Sequence, residues 1–137
     1  MENLFAYGTL MCSSILTEVS GCRLSAVPAT LEGYSRRCVK GERYPAILPH
    51  REGRVAGELY RNVPDAAWGR LDRFEGEMYA RREVEVALRD GTVLLAATYV
   101  VVPQFLYRLD RADWDFAEFL QNGKTDFQSH YKGYLSL

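Results

Sequence analysis

Trp68-Gly69-Arg70-Leu71-Asp72-Arg73-Phe74-Glu75-Gly76 has the spacing of the last two turns of an α-helix that ends at a glycine. Arg70 and Arg73 fall on the face of this helix that points to water. The opposite face is apolar and carries Ala67, Trp68, Leu71 and Phe74. The stretch therefore predicts an amphipathic helix, beginning at Pro64-Asp65, that packs on an apolar body.

Glu75 is the exception to this pattern, because its position lies between Leu71 and Trp68 on the apolar side. A carboxylate that is partly removed from water has a raised pKa, which suits it to move protons near neutral pH. The alternative is structural. Glu75 is at a helix end, where it is also able to turn to water or to pair with Arg81 or Arg82.

The segment upstream predicts a strand, a glycine turn and a helix in immediate succession. Residues 3–7 are apolar and aromatic, Gly8-Thr9-Leu10-Met11 forms the turn, and a helix with Ser13 or Ser14 as its N-cap ends near Gly21. Such a turn exposes backbone N–H groups that bind an anion, for example a carboxylate. The alternative is an ordinary turn in which Gly8 supplies an unusual φ.

Strands dominate the remaining sequence, and turns join them. We expect strands at 23–39 (one bent strand or two), 44–48, 55–60, 82–88 and 93–102, with Asp90-Gly91 as a hairpin turn. Gly57 in mid-strand predicts a close approach by another backbone or a ligand. A helix over 113–122 should stop at Gly123 and turn inward Trp114, Phe116, Ala117 and Leu120.

This pattern predicts an α+β fold, a small mixed and mostly antiparallel β-barrel of six or seven strands flanked by short helices. We expect residues 1–137 to form one domain. Hydrophobic residues make up 47% of the chain and charged residues 26%, which supplies a core. The net charge of −1 and the pI of about 6.1 argue against nucleic-acid binding.

Cysteine usage, the N-terminus and hydropathy predict a cytoplasmic protein with no membrane segment. Three cysteines without a Cys-x-x-Cys pair fit reduced thiols, and no long apolar run or signal peptide is present. The two histidines lack metal-ligand spacing to the cysteines, so we expect no metal site. The oligomeric state is left open.

Several stretches, in order, resemble the gamma-glutamylcyclotransferase-like superfamily, and in particular the branch named after plant avirulence-induced genes. Leu4-Phe5-Ala6-Tyr7-Gly8-Thr9-Leu10-Met11 resembles the N-terminal signature of this family. It is followed by Tyr44-Pro45, Gly57-Glu58-Leu59-Tyr60, Leu71-Asp72-Arg73-Phe74-Glu75-Gly76, and Tyr79 with Arg82 and Val84. The resemblance extends from residue 3 to about residue 102.

The resemblance implies a small barrel that cyclises a γ-glutamyl group to 5-oxoproline and releases the attached amine, without a cofactor. It implies that Glu75 is the catalytic acid and base, and that Tyr7, Gly8, Thr9 and Leu10 bind a small γ-glutamyl substrate. Tyr79 is expected at the substrate site, where it would orient the carboxylate, and the alternative is a core tyrosine. The nucleophile is the substrate's own α-amino group, so no serine, cysteine or metal is required.

Two other functions remain open from the sequence. One is a non-catalytic module of the same fold that binds a small carboxylate-containing ligand or a protein, and the other is lyase or amidohydrolase chemistry with Glu75 as base. Met11 or the aromatic tail would plug the cavity of a mere binding module. Cys12 lacks a basic neighbour in sequence, which argues against a nucleophile. Four tyrosines are candidate cavity residues: Tyr44, Tyr60, Tyr99 and Tyr107.

Overall fold

The protein is a closed five-stranded β-barrel with helices packed on one side. The computed structural model describes residues 2–137 of the chain. Neighbouring strands follow the order β1-β3-β2-β4-β5 around the barrel. β1 and β5 close it in parallel, with Leu4 opposite Ala97, and the other pairs are antiparallel. The strands are β1 (Glu2–Ala6), β2 (Ala26–Cys38), β3 (Pro45–Val63), β4 (Tyr79–Leu88) and β5 (Val93–Val101).

The α+β barrel is confirmed, but the predicted count of six or seven strands is wrong. The strands predicted at 44–48 and 55–60 are the two halves of β3. Residues 50–53 lie opposite the single residue Gly33 of β2, where the pairing passes from Arg54 with Glu32 to Pro49 with Tyr34. The glycine at 53 thus lies in an irregular bulge of β3 and not in a chain reversal. Similarly, the region predicted at 23–39 contains one strand, β2 (Ala26–Cys38).

Gly57 marks a close approach of two backbones, as its position in mid-strand predicts. A Cβ atom at this position would lie 2.3 Å from the Ala6 carbonyl oxygen and 2.8 Å from Cζ of Phe5. β1 therefore lies against β3 at a distance that only glycine permits.

Helices α1 (Ser13–Ser20) and α2 (Asp65–Glu75) cover one side of the barrel, and α1 begins after Cys12 as its N-cap residue instead of Ser13 or Ser14. The helix predicted at 113–122 is wrong in its bounds. The chain forms α3 (Phe116–Glu118), a π-helical segment (Phe119–Gly123) and α4 (Lys124–His130), which pass through Gly123. The inward face also differs from the predicted one, since Phe119 is buried while Ala117 and Leu120 are exposed.

Alternation along β1 divides the core in two. Phe5 and Tyr7 point into the barrel with an apolar cluster that includes Ile47. Leu4 and Ala6 point outward to a larger cluster formed with the helices. Short 3₁₀ turns occupy Thr9–Met11, Pro103–Arg108 and Lys132–Ser136.

Candidate active site

A cavity opens where the chain leaves β1, and it contains every residue that the sequence assigned to the site. It is narrow: the space that admits the centre of a water molecule is about 20 Å³. Residues from the barrel, from α2 and from the C-terminal segment line it: Leu4, Phe5, Ala6, Tyr7, Gly8, Thr9, Leu10, Tyr44, Pro45, Glu75, Tyr79, Tyr99, Phe127 and Tyr131. Met11 is not among these residues, so its side chain does not plug the cavity.

The loop after β1 lines the cavity, and a glycine begins it. Gly8 has a φ of −130°, which any residue can adopt, so its backbone conformation does not require glycine. The lack of space does, because a Cβ atom at this position would lie 2.9 Å from the Pro45 ring. Within residues 2–137, the N–H groups of Gly8, Thr9 and Leu10 donate to no other group. Buried N–H groups are normally bonded, so this loop has capacity for an anionic oxygen.

Two long-range hydrogen bonds hold this loop in place. The buried Tyr60 hydroxyl donates to the Leu10 carbonyl oxygen at 2.8 Å. Nη1 of Arg36 donates to the Tyr7 carbonyl oxygen at 3.0 Å, and Nε of Arg36 donates to the Asp113 carboxylate at 2.8 Å. The carbonyl groups of the loop are thereby bonded to the protein, while its N–H groups remain available.

Glu75 is the last residue of α2, and its side chain lies in the cavity. The helix ends because Gly76 takes φ +83°, a conformation that favours glycine. Burial, aided by the charge of Asp72, raises the pKa of Glu75 to about 8. Among the described residues, the Glu75 carboxyl makes no hydrogen bond or ion pair. The side chain of Glu75 faces the cavity, as the helical spacing predicts. Its carboxyl group is free to contact a ligand.

The alternative partner for Glu75 is occupied elsewhere. Arg81 lies 3.6 Å from the Asp72 carboxylate and stacks on the Trp68 ring at 4.8 Å. Asp72 also accepts a hydrogen bond of 2.6 Å from the Tyr99 hydroxyl. Asp72 therefore contacts both Arg81 and Tyr99, and its ion pair with Arg81 keeps that arginine away from Glu75.

The site tyrosines form walls whose hydroxyl groups bind backbone carbonyls. The Tyr7 hydroxyl donates to the Tyr99 carbonyl at 2.6 Å, and the Tyr79 hydroxyl donates to the Pro45 carbonyl at 2.7 Å. Burial raises the pKa of both phenols well above 10.0, so they remain neutral donors. Tyr79 lines the cavity, but its hydroxyl is directed to Pro45 and not to Glu75.

Of the four further tyrosines, Tyr44 and Tyr99 line the cavity and the other two do not. The predicted positions of Tyr60 and Tyr107 in the cavity are wrong. Tyr60 lies outside the cavity and donates to the Leu10 carbonyl oxygen, and Tyr107 is 71% exposed to solvent. Sequence spacing alone does not show which tyrosines reach the cavity.

The C-terminal segment forms the wall that the sequence missed. Phe127 and Tyr131 stack with ring centroids 4.7 Å apart, and Tyr131 meets Phe74 edge-on at 4.9 Å. The Tyr131 hydroxyl donates to the carbonyl oxygens of Phe74 at 2.7 Å and Glu75 at 3.1 Å. The only sequence signal for this wall was the aromatic content of the tail.

Cys12 has a basic neighbour after all, although its thiol is outside the cavity. Nζ of Lys124 donates to the Ser14 hydroxyl at 3.0 Å, and that hydroxyl lies 3.3 Å from Sγ of Cys12. Burial raises the pKa of the Cys12 thiol, but the Ser14 hydrogen bond and the Lys124 charge outweigh burial and lower it overall. The thiol does not line the cavity that contains Glu75.

The fold and the cavity define a class of protein, a small α+β barrel with one desolvated carboxyl beside a loop of free N–H groups. A family model described as "Gamma-glutamyl cyclotransferase, AIG2-like" matches residues 4–116. The chain therefore belongs to the AIG2-like gamma-glutamyl cyclotransferase family, as its sequence motifs predict. The matched region ends before Phe127 and Tyr131.

Relatives from Arabidopsis thaliana cover most of the chain. AIG2-like protein C is 35% identical over 137 residues, which are 97% of this chain and 77% of that protein. A solution structure of another Arabidopsis thaliana protein superposes with a TM-score of 0.73 at 30% identity, over 98% of this chain and 81% of that one.

A solved structure named gamma-glutamyl cyclotransferase also has this fold. It matches with a TM-score of 0.62 over 76% of this chain and 73% of its own, at 20% identity, which shows the fold alone. Within residues 2–137, no helix combines the length and apolar character that crossing a membrane requires.

Proposed function

We propose that this protein is a gamma-glutamylcyclotransferase that converts a small γ-glutamyl compound to 5-oxoproline and a free amine. The observation that carries the proposal is the Glu75 carboxyl, which is unbonded and has its pKa raised to about 8. It shares one cavity with the N–H groups of Gly8, Thr9 and Leu10. Family membership supports the same reaction class.

In the proposed reaction, Glu75 carries two protons, one after the other, from the α-nitrogen to the leaving nitrogen. It accepts a proton from the substrate's α-ammonium group, and the freed nitrogen attacks the γ-carbonyl carbon of the same molecule to form the ring C–N bond. Glu75 gives that proton to the departing nitrogen as the original amide C–N bond breaks. It then takes the second proton from the ring nitrogen and passes it to the released amine, which leaves as an ammonium ion. A carboxyl with a pKa of about 8 accepts and returns a proton near neutral pH at little cost.

The loop and the walls supply the remaining requirements. The three N–H groups bind an anionic oxygen of the substrate, either its α-carboxylate or the oxyanion that forms during attack. Tyr7 and Tyr79 hold the carbon chain in a folded conformation, which brings the α-amino group to the γ-carbonyl. Proximity of this kind supplies several kcal/mol in intramolecular reactions, on the order of 7 or more in the best cases.

The experiment is a survey of γ-glutamyl amines, γ-glutamyl amino acids and glutathione, with 5-oxoproline measured by mass spectrometry. We expect product from at least one compound, and a loss of about 10²–10⁴-fold in kcat for Glu75→Gln. Glu52→Gln is the control, because it removes an exposed carboxylate that lies outside the cavity and its mouth. Full activity in Glu75→Gln, or 5-oxoproline from no compound, would contradict the proposal and favour a binding module.

We also place the reaction in the cytoplasm and assign it to residues 1–137 as one domain. The three cysteines support a reducing compartment, since Cys12, Cys22 and Cys38 are all free thiols. Tagged protein located by microscopy, together with 5-oxoproline formation by the isolated chain, tests both statements.

A further inference from the structure

Arg36 reaches the loop at residues 7–10 from outside the cavity, which it does not line. It belongs to β2, and its side chain is only 15% exposed. Nη1 of Arg36 donates to the carbonyl oxygen of Tyr7 at 3.0 Å and to that of Ala56, in β3, at 3.3 Å. One guanidinium group thus ties the first residue of the loop to β3.

A carboxylate and an aromatic ring hold this guanidinium group in place. Nε of Arg36 donates to Oδ1 of Asp113 at 2.8 Å, and Nη2 donates to Oδ2 at 3.4 Å. Cζ of Arg36 lies 5.7 Å from the centre of the Trp114 ring. Because Asp113 balances the charge of Arg36, the effect of this arginine on the loop is one of direction and not of long-range attraction.

The turn itself orients two of the three free N–H groups of the loop. In a trans peptide group the carbonyl and the following N–H point in opposite directions, so a bond to the carbonyl oxygen also fixes the N–H. The Gly8 carbonyl accepts from the Met11 N–H at 2.9 Å, which directs the N–H of Thr9. The Thr9 carbonyl accepts from the Cys12 N–H at 3.1 Å, which directs the N–H of Leu10.

The third N–H group, that of Gly8, depends on a distant side chain. It shares its peptide group with the Tyr7 carbonyl, and the hydrogen bond from Arg36 to that carbonyl directs the N–H away from Arg36. Glycine at position 8 also permits the reverse orientation. Rotating this peptide group by about 180° would move φ of Gly8 from −130° to a positive value, which glycine tolerates.

We propose that Arg36 is a positioning residue of the cyclotransferase site, which selects the orientation of the Tyr7–Gly8 peptide group that offers the Gly8 N–H to an anionic oxygen of the substrate. This inference rests on the proposed function and adds to it a residue that does not touch the substrate. Without Arg36, the Tyr7 carbonyl turns towards the cavity in part of the molecules, and its oxygen repels the anionic oxygen that the N–H would bind.

The first test reports the orientation itself and needs no substrate. Arg36→Met keeps an unbranched side chain beside Trp114 but has no donor for the Tyr7 carbonyl. In a crystal structure of this variant, we expect the Tyr7 carbonyl to be reversed or to occupy two orientations.

Arg54→Met is the matched control for Arg36→Met. Nε of Arg54 also donates to a carboxylate at 2.8 Å, that of Glu32, but both side chains are exposed and lie outside the cavity. The Tyr7 carbonyl of this variant should keep its wild-type orientation, and its kcat/KM should equal that of the wild type.

The second test follows 5-oxoproline formation from any γ-glutamyl compound that the wild type turns over. In Arg36→Met, kcat/KM should fall about tenfold to a hundredfold, the loss expected for one hydrogen bond to a charged oxygen. Arg36→Lys keeps a charge opposite Asp113, which protects the fold, but its shorter ammonium group cannot bind Asp113 and the Tyr7 carbonyl together. Its kcat/KM should therefore fall as well.

The kinetic constants separate positioning from a general loss of structure. Partial unfolding lowers kcat in proportion to the folded fraction, which urea unfolding measures, and leaves KM unchanged. A rise in KM would support the inference and identify the α-carboxylate as the anion at Gly8. A fall in kcat beyond the folded fraction would also support it and identify the oxyanion.

Three results would overturn the inference while the cyclotransferase stands. They are an unchanged Tyr7 carbonyl in Arg36→Met, an unchanged kcat/KM in both Arg36 variants, and a loss of activity that the folded fraction accounts for entirely. If the wild type turns over no γ-glutamyl compound, the proposed function fails and the role of Arg36 in the reaction fails with it. The crystal structures then decide only whether Arg36 orients the loop.

Discussion

The two walls of the cavity are built by different interactions. The barrel wall consists of the loop at residues 7–10 with Pro45 and Tyr79, and it is fixed by strand pairing, close glycine contacts and buried hydroxyl-to-carbonyl bonds. The tail wall consists of Phe127 and Tyr131, which are held by ring contacts and by the two bonds that Tyr131 donates to α2. The barrel wall depends on the whole sheet, whereas the tail wall depends on a few side chains.

Glu75 lies where these walls meet. Of the changes considered, Glu75→Gln should have the largest effect on the free energy of unfolding. The folded chain keeps a proton on Glu75 up to about pH 8, while an unfolded chain releases it near 4.5. The free energy of unfolding of the wild type therefore falls as pH rises from about 4.5 to about 8, by up to about 5 kcal/mol. Glu75→Gln carries no charge and should lack this fall.

Urea unfolding of both proteins between pH 4 and pH 9, an interval chosen to span the two pKa values, measures this difference. Above pH 8, Glu75→Gln should be the more stable protein. Glu77→Gln, which removes a solvent-exposed carboxylate, is expected to follow the wild type. If the free energy of unfolding changed with pH in the same way for the wild type and Glu75→Gln, water would reach the carboxyl group and the two walls would not enclose it.

Breaking the barrel wall should cost more stability than breaking the tail wall. In Gly57→Ala the new Cβ would stand 2.3 Å from the Ala6 carbonyl oxygen, and backbone atoms on both strands must move. We expect a loss of about 3 kcal/mol in the free energy of unfolding, because a tightly packed site resists added atoms. Thermal and urea unfolding measure it.

Gly69→Ala is the matched control for Gly57→Ala. Gly69 lies on the exposed face of α2, where the new methyl group meets only the flexible end of Arg73 at 3.4 Å. Alanine favours the helix by up to about 1 kcal/mol over glycine, so this variant should be slightly stabilised. A similar small effect from both variants would show that β1 and β3 do not meet closely at Gly57.

The same division decides what the sequence could predict. The barrel wall has local signals: alternation in β1, glycines at turns and bulges, and the helical spacing that turns Glu75 inward. The sequence predicts a turn where the structure has the bulge at residues 50–53, because glycine is common in both features. The free N–H groups of the loop followed from its position between a strand and a helix.

The tail wall has no such local signal. The π turn at Phe119–Gly123 changes which residues face inward, and no spacing rule anticipates it. Tyr131 reaches Phe74 across 57 residues of sequence through one hydroxyl. Lys124 similarly reaches Ser14, beside Cys12, across 110 residues. Contacts of this kind depend on the final packing, so this wall could not be assigned before the structure.

Tyr131→Phe tests whether the tail wall acts on the site more than on the fold. The variant keeps the ring contacts and removes only the hydrogen bonds to the Phe74 and Glu75 carbonyl oxygens. We expect a loss of about 1–2 kcal/mol in stability and a several-fold decrease in kcat, because the end of α2 is held less firmly. Tyr107→Phe, at an exposed tyrosine, should change neither. A loss as large as that of Gly57→Ala would place the tail in the same structural unit as the barrel.

Asp72→Asn is the smallest expected effect, and it separates the two causes of the raised Glu75 pKa. Burial is the larger cause and the Asp72 charge the smaller, and asparagine keeps an oxygen that accepts from the Tyr99 hydroxyl. The pKa of Glu75 should therefore decrease by less than about one unit, worth at most about 1.4 kcal/mol.

A ¹³C NMR titration of the Glu75 carboxyl measures this decrease in pKa directly, and the acidic limb of the kcat/KM profile should move to lower pH with it. Asp65→Asn, at the exposed start of α2, is the control. A decrease of several units would make the neighbouring charge dominant, and the enclosure of Glu75 by the two walls would then contribute little to its proton affinity.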